Sequence, residues 1–495
     1  MNRLSNSAMA LMSLSSLMCW VAAGQTAYAQ TFTTEYSFNG KGGAGPYAEL
    51  VQGTTGELYG TTQDGGASGI GSIFKITTGG TRSTLHSFCS EGTYPDCTDG
   101  QNPYAGLVQG TNGDFYGTTN DGGANGGGTV FKTSPGGKLT TLYGFCSQTN
   151  CLDGESPYAA LIQGTNGDFY GTTEAGGNVA ESCPHGCGTI FKMSAGGTLT
   201  TLYRFCALTG CADGESPYAG LIEGVNGDFY GTTYFGGAKG GGTVFKVTAA
   251  GKLTTLYSFC SQTNCADGQE PYAGLVQASD GNFYGTTQTG GATGDGSVFK
   301  ITSGGKLTTL YSFCSQADCA DGESPYAGLI QATDGNLYGT TSEGGAHGHG
   351  SVFQITLGGT LTTQYSFCSV GTFPDCKDGD IPYAGLTQAT DGDFYGTTWG
   401  GGAHSDGTVF CISLDLGAFV ETQTTSGKVG AAVKILGTDL TGATNVTFNG
   451  TAATFSLVSA SEITTTVPTD ATTGFVAVTT PGGTLTSNKP FTVTP

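Results

Sequence analysis

Residues 271–313 read PYAGLVQASDGNFYGTTQTGGATGDGSVFKITSGGKLTTLYSF. Tyr272 to Gln277 is a short apolar run, and Asp280-Gly281 after it is a tight hairpin turn that favours positive φ. Phe283 to Thr287 returns as a second strand. A Gly-rich loop from Gly290 to Gly296 leads into Ser297 to Ile301, which alternates as a third. Gly304-Gly305 then turns the chain into Leu307 to Phe313. Four strands and three reversals make one antiparallel sheet. No window holds a helical period of ~3.6 residues and glycine interrupts every run, so helical repeats are excluded.

The unit recurs along the chain. Tyr-Gly-Thr-Thr begins at Tyr59, Tyr116, Tyr170, Tyr230, Tyr284, Tyr338 and Tyr395, at spacings of 57, 54, 60, 54, 54 and 57 residues. That length suits a four-stranded propeller blade, and the expected fold is all-β, a seven-bladed β-propeller. The Tyr-x-Phe strand ends at Phe38, Phe88, Phe145, Phe205, Phe259, Phe313 and Phe367, each time ahead of a Pro-Tyr-Ala strand. The chain therefore begins on a fourth strand and ends the repeats on a third, at Val409 to Ile412. Thr31 to Phe38 is expected to complete the last blade, leaving no open sheet edge.

Glycine supplies 88 of 495 residues, more than double the roughly 7% of ordinary proteins. Tight turns in seven copies of one unit account for it. A balance of 17 basic against 38 acidic residues gives a net charge of −21. Phosphate repulsion then disfavours nucleic acid and anionic membranes as partners. Residues 1–29 read as an export signal, with Arg3, an apolar stretch and a small-x-small site at Ala27-Tyr28-Ala29. No later stretch reaches the ~20 apolar residues of a membrane span, so a secreted, monomeric protein is expected.

Fourteen cysteines fall into close pairs: Cys89 with Cys97, Cys146 with Cys151, Cys183 with Cys187, Cys206 with Cys211, Cys260 with Cys265, Cys314 with Cys319 and Cys368 with Cys376. In an oxidising compartment such pairs read as disulfides that pin local loops. Of the 16 cysteines, Cys19 lies inside the expected leader and Cys411 is left over.

The propeller is expected over 30–414. From about Gly417 the repeat stops and cysteines vanish. Ala432 to Leu436, Val446 to Phe448, Thr454 to Val458, Ile463 to Val467 and Phe475 to Thr479 alternate apolar and polar residues, the pattern of a β-sandwich. The stretch from Val433 to Gly450, with Val467-Pro468, Thr480-Pro-Gly-Gly483 and Phe491-Thr-Val493, resembles the IPT/TIG family of immunoglobulin-like domains. That resemblance implies an Ig-like domain over 417–495 with a spacer or interaction role. The repeats, with Gly-Asp-Phe-Tyr-Gly-Thr-Thr at 113–119 and Gly-Thr-Val-Phe-Lys at 128–132, resemble the Gloeobacter/Verrucomicrobium-type ("GloVer") tandem repeats. This second resemblance implies fold and compartment but no activity.

Strand polarity puts the Gly-rich loops and the cysteine loops at one end, called the top here. The residue after each Tyr-Gly-Thr-Thr differs from copy to copy: Gln63, Asn120, Glu174, Tyr234, Gln288, Ser342 and Trp399. A position needed only for folding would not vary this way, so this ring, with Phe235, is the candidate ligand contact. Its aromatics suit sugar rings or peptide side chains. Neutral drift at exposed loop starts is the alternative.

The cysteine loops share Asp99, Asp153, Asp213, Asp267, Asp321 and Asp378. These carboxylates either bind calcium or close Asx turns. His347, His349 and His404 occupy equivalent loops, as a metal cluster, as an acid–base pair or as solvent-exposed side chains. Cys183-Pro-His-Gly-Cys187 supplies two thiols and His185 toward a zinc site, but a closed site takes four ligands, which favours the disulfide. No nucleophile elbow, phosphate loop or zinc-protease motif is present. The expected function is non-catalytic binding or adhesion to extracellular glycan or protein, without a cofactor. The alternatives are a carbohydrate-active hydrolase or lyase using Asp and Glu, with His347 or His404 as a further group, and a structural envelope protein stabilised by calcium.

Overall fold

The structure is a computed structural model that describes residues 30–494, and the expected leader lies outside the described residues. The chain is all-β, with no α-helix among the described residues and only short 3-10 turns such as Thr149–Cys151. Four-stranded antiparallel sheets repeat in the manner of a propeller-type fold, seven of them before residue 414. In the unit quoted above, the strands are Val276–Gln277, Phe283–Thr287, Ser297–Ile301 and Leu307–Ser312. The last sheet takes its outer strand from the start of the chain, Thr31–Ser37 pairing with Thr408–Ser413.

The second strand is buried along its length and the third at every position but Lys300, because each sheet is packed between two others. Gly285 at the centre of the second strand is required by close approach. A Cβ there would stand 2.7 Å from Cζ of Phe299 and 3.0 Å from Leu275. Between sheets the contacts are aromatic. Phe313 packs edge-on against Phe353 with centroids 5.1 Å apart, and Tyr170 stacks on Phe229 at 3.9 Å. Each such pair adds roughly 0.5–1.5 kcal/mol beyond its burial.

The first strand is shorter than its apolar run suggests. Upstream of Val276 the backbone turns from its own sheet to the preceding one, where Thr232 Oγ1 donates to the carbonyl of Ala273 at 2.9 Å. The first Thr of every Tyr-Gly-Thr-Thr makes this bond to the next repeat. A second set runs parallel to it, as in Ser279 N donating to Gln331 Oε1 at 2.8 Å. The set includes Thr390 N to Gln52 Oε1 at 2.9 Å, which links the last repeat to the first.

All seven expected disulfides form: Cys89 with Cys97, Cys146 with Cys151, Cys183 with Cys187, Cys206 with Cys211, Cys260 with Cys265, Cys314 with Cys319 and Cys368 with Cys376. The segments they pin depart from the irregular loops expected of them. Cys97 is fully buried and ends a two-residue strand, Asp96–Cys97, that pairs with Gly92–Thr93. Cys265 ends a 3-10 turn, Thr263–Cys265, and its amide donates to the Gln262 carbonyl at 3.0 Å. The spacing of the bridged cysteines explains the difference. A sequence separation of 8 from Cys89 to Cys97 leaves room for a small hairpin, whereas a separation of 5 from Cys260 to Cys265 closes in one tight turn.

The junction between the last and first repeats has no cysteine loop. There the Arg82 guanidinium lies 5.1–5.3 Å from the ring centres of Tyr36, Phe38 and Phe74. It also donates to the Gly42 carbonyl.

After residue 417 two further four-stranded sheets pack face to face around Val433, Ile435, Val446, Phe448, Ile463 and Val478. This part touches turns that join first and second strands of the repeats. Ser461 Oγ donates to Thr54 O at 3.0 Å and Gln423 Nε2 to Gly110 O at 2.9 Å. It therefore docks at the end opposite the top loops.

Candidate functional site

Seven tyrosines from the Pro-Tyr-Ala segments, Tyr47, Tyr104, Tyr158, Tyr218, Tyr272, Tyr326 and Tyr383, meet where the inner strands converge. Three pairs stack: Tyr47 on Tyr383 at 4.8 Å, Tyr104 on Tyr158 at 4.5 Å and Tyr218 on Tyr272 at 5.0 Å. Tyr326 packs edge-on to Tyr272 and Tyr383, and the Tyr47 and Tyr272 hydroxyls are 3.4 Å apart. The result is an aromatic plug across the centre of the molecule. Burial pushes the Tyr383 hydroxyl up to about 12, so it is a neutral hydrogen-bonding group at physiological pH.

The variable residues of the top loops sit on this plug, most of them on the tyrosine of the next repeat. Gln63 Nε2 donates to the Tyr104 hydroxyl at 2.9 Å, and Tyr218 donates to Glu174 Oε1 at 2.6 Å. The Tyr234 hydroxyl donates to Gln288 Oε1 at 3.0 Å, while Gln288 Nε2 donates to Tyr326 at 2.7 Å. Asn120 donates to Asp121 and leaves its own Oδ1 buried without a partner. Trp399 and Phe235 are each 40% exposed. Trp399 packs toward Tyr383, and Phe235 sits edge-on to Tyr234. Ser342 departs from the expectation: it is buried, and its hydroxyl is spent on the Ser324 carbonyl at 2.9 Å.

The tyrosine floor and the mixed polar and aromatic side chains that rest on it make up one surface, called the cup. Carboxylates surround it. Asp64 and Asp121 act electrostatically on Tyr104, Glu270 on Tyr234, and Glu343 and Asp380 on Tyr383. Desolvation raises the Glu174 carboxyl above its ordinary value, against the opposing hydrogen bond from Tyr218.

Two residues beyond Tyr47 on the inner strand stands Glu49, where the other repeats carry Gly106, Ala160, Gly220, Gly274, Gly328 and Gly385. Its side chain lies across Gly385. Its side chain is exposed, while the chain packed around the carboxyl removes part of its hydration. Desolvation raises that group to about 7.

The cysteine-loop aspartates are buried, and every carboxylate oxygen among them except Oδ1 of Asp99 accepts a hydrogen bond. Asp153 Oδ2 accepts from the Tyr143 hydroxyl at 2.7 Å, the Ser147 hydroxyl at 2.8 Å and the Ser147 amide at 3.0 Å. Its Oδ1 accepts from the Gln148 amide at 3.0 Å. Asp213, Asp267, Asp321 and Asp378 repeat the pattern through Tyr203, Tyr257, Tyr311 and Tyr365. Asp99 takes His86 Nε2 in place of tyrosine at 3.0 Å. These donors are those of a loop-closing turn, and a cation would have to displace them. The histidines do not gather: His347 and His404 stand exposed. His349 instead pairs with Asp380 at 2.9 Å and stacks on Phe373.

The tyrosine plug was not singled out from sequence. Its signal was the recurrence of Pro-Tyr-Ala in all seven copies, which also reads as ordinary packing.

Among solved structures, a fungal alcohol oxidase in complex with copper aligns at 13% identity and TM-score 0.47, covering 94% of this chain and 99% of that one. A Bacteroides thetaiotaomicron protein of unknown function aligns at 14% and 0.38, covering 77% and 96%. A luciferin-regenerating enzyme aligns at 11% and 0.35, covering 62% and 89%. At these values the alignments carry no argument about activity. No curated protein matches the chain. The model of the Gloeobacter/Verrucomicrobia repeat matches residues 93–266 and 259–459, and with about three quarters of its length so covered the chain belongs to that repeat family.

Proposed function

We propose that residues 30–414 form a seven-bladed β-propeller and residues 417–495 an immunoglobulin-like spacer. The protein is exported and acts as a non-catalytic binding or adhesion protein for extracellular glycan or protein. One observation carries the reading: side chains that differ between repeats, Gln63, Glu174, Tyr234, Gln288 and Trp399, contact one another and a constant tyrosine floor. Variation placed on a rigid platform is how a scaffold acquires a specific site. Exposed faces of Trp399 and Phe235 suit the apolar face of a sugar ring or a peptide side chain. The surrounding carboxylates turn away polyanions, which favours neutral or basic ligands. The C-terminal sheets dock at the far end and leave the cup open.

The test is retention on glycan and peptide arrays by the wild-type chain and by Tyr234→Ala and Trp399→Ala variants. The reading expects loss of signal in both variants, and full retention by both rejects the site. A second reading rests on Glu174, whose raised carboxyl is the kind of group a general acid requires. Under that reading a polysaccharide panel would yield soluble products, and Glu174→Gln would abolish them.

A further inference from the structure

The enlarged top loop of the third repeat lays its own disulfide, Cys183–Cys187, against the disulfide Cys206–Cys211 that follows the same repeat. Sγ of Cys183 is 3.8 Å from Sγ of Cys206. One oxygen of Glu215 joins the four sulfurs in a group whose members all lie within 4.8 Å of one another. Glu215 is 7% exposed, and Ser182 Oγ fixes its Oε2 at 2.6 Å. Sister loops lack this convergence. Cys146–Cys151 and Cys314–Cys319 have only Glu155 and Glu323 beside them.

Zinc bound by thiolates at ~2.3 Å in a tetrahedron sets its sulfurs about 3.8 Å apart. The Cys183–Cys206 separation already matches one edge of that tetrahedron. His185, which the sequence offers as a ligand, stands exposed and outside the group. The two missing ligands come instead from Cys206 and Cys211.

We propose that in the reduced chain Cys183, Cys187, Cys206 and Cys211 form a tetrathiolate site for Zn²⁺. This corner of the third repeat is then held either by two disulfides or by one metal ion. The exchange balances: two equivalents of a dithiol, each closing to its own disulfide, or of a phosphine, each taking oxygen from one water to become the oxide, convert both S–S bonds to four thiols. The four resulting thiols release four protons to solvent as the metal binds. Glu215, oriented by Ser182, is a fifth donor beside the sulfurs. Ala180, Leu208 and Gly240 line an open cleft through which the ion reaches them.

The experiment uses the chain from residue 30, reduced anaerobically with a phosphine, loaded with Zn²⁺ or Co²⁺ and desalted. The expected result is one retained zinc per chain and, with cobalt, the visible bands of tetrahedral tetrathiolate coordination. Both should be lost in C183S/C187S and kept in C260S/C265S, which removes the isolated bridge between Cys260 and Cys265. Circular dichroism of the oxidised variants checks that they fold. If C183S/C187S does not, Cys183→Ser alone still leaves three thiols and is expected to lose the tetrathiolate spectrum. No retained zinc in the reduced wild type, or equal retention by C183S/C187S, overturns the proposal.

Discussion

Thr397 donates through Oγ1 to the main-chain carbonyl of Ala48 at 3.3 Å, joining residues 349 positions apart. Between neighbouring repeats the same bond spans 41 to 47 positions. The last repeat thus meets the first as any repeat meets its successor.

Closure depends on the first described strand. Phe38 is 1% exposed and packs edge-on to Phe74 at 5.3 Å, and Phe32 stacks on Tyr365 at 3.8 Å. Removing a buried phenyl group costs about 3–5 kcal/mol. Phe38→Ala should therefore lower the melting temperature clearly, and deletion of Thr31 to Phe38 should lower it further. A calorimetric melt of both variants checks this, and an unchanged midpoint for the deletion contradicts closure.

Acid should loosen the cysteine loops. Burial alone would raise the carboxyl of Asp153, but hydrogen bonds from Tyr143, Ser147 and two amides outweigh it and hold the group below its ordinary value. Asp99 and Asp321 are lowered in the same way. A lowered folded value gives stability that is complete above the unfolded value near ~3.9 and is lost as pH falls through the folded one. Melting temperature should drop on acidification below about 4. Asp153→Asn should cost roughly 1.5–3 kcal/mol at neutral pH, the range for hydrogen bonds to a charged group, and should flatten that acid limb.

Glu49 has the opposite sign. Its folded value is raised to about 7, so its contribution favours folding at low pH and is lost as pH rises through about 7. Glu49→Gln should melt higher than wild type at pH 8 and indistinguishably from it at pH 4. A variant that gains nothing at pH 8 shows that the carboxylate is fully hydrated.

Cys411 should be inert. It is 9% exposed, and burial, reinforced by Asp393, pushes its thiol up to about 12. A thiol so rarely ionised is a poor nucleophile. In protein beginning at Gln30, iodoacetamide at pH 8 should leave the native state unlabelled and modify one cysteine per chain after unfolding without reductant, as read by mass spectrometry.

Repetition made the sheets legible in the sequence. One unit showed four strands and three turns, seven copies gave the count, and the mismatch between the first and last element types gave the closing strand. Short cysteine spacings gave the disulfides, though not the hairpin that ends at Cys97 or the tight turn that ends at Cys265. What stayed hidden depends on where separate repeats meet. Seven identical tyrosines look the same in sequence whether they plug a centre or fill a core. Cys183 and Cys206 are brought together by the fold of an enlarged loop that no spacing describes. Ser342 varies like its neighbours in the ring, yet its small side chain turns inward to the backbone.

Trp399 reports directly on the cup. The chain has two tryptophans, of which only Trp399 lies after residue 29. In protein beginning at Gln30, tryptophan emission therefore comes from one 40% exposed indole at the wall of the cup. Titration with any glycan or peptide retained on the arrays should shift or quench that emission along the same isotherm as binding, and Tyr234→Ala should weaken both together. Saturable binding that leaves Trp399 emission unchanged and survives Tyr234→Ala would place the ligand elsewhere and contradict the account.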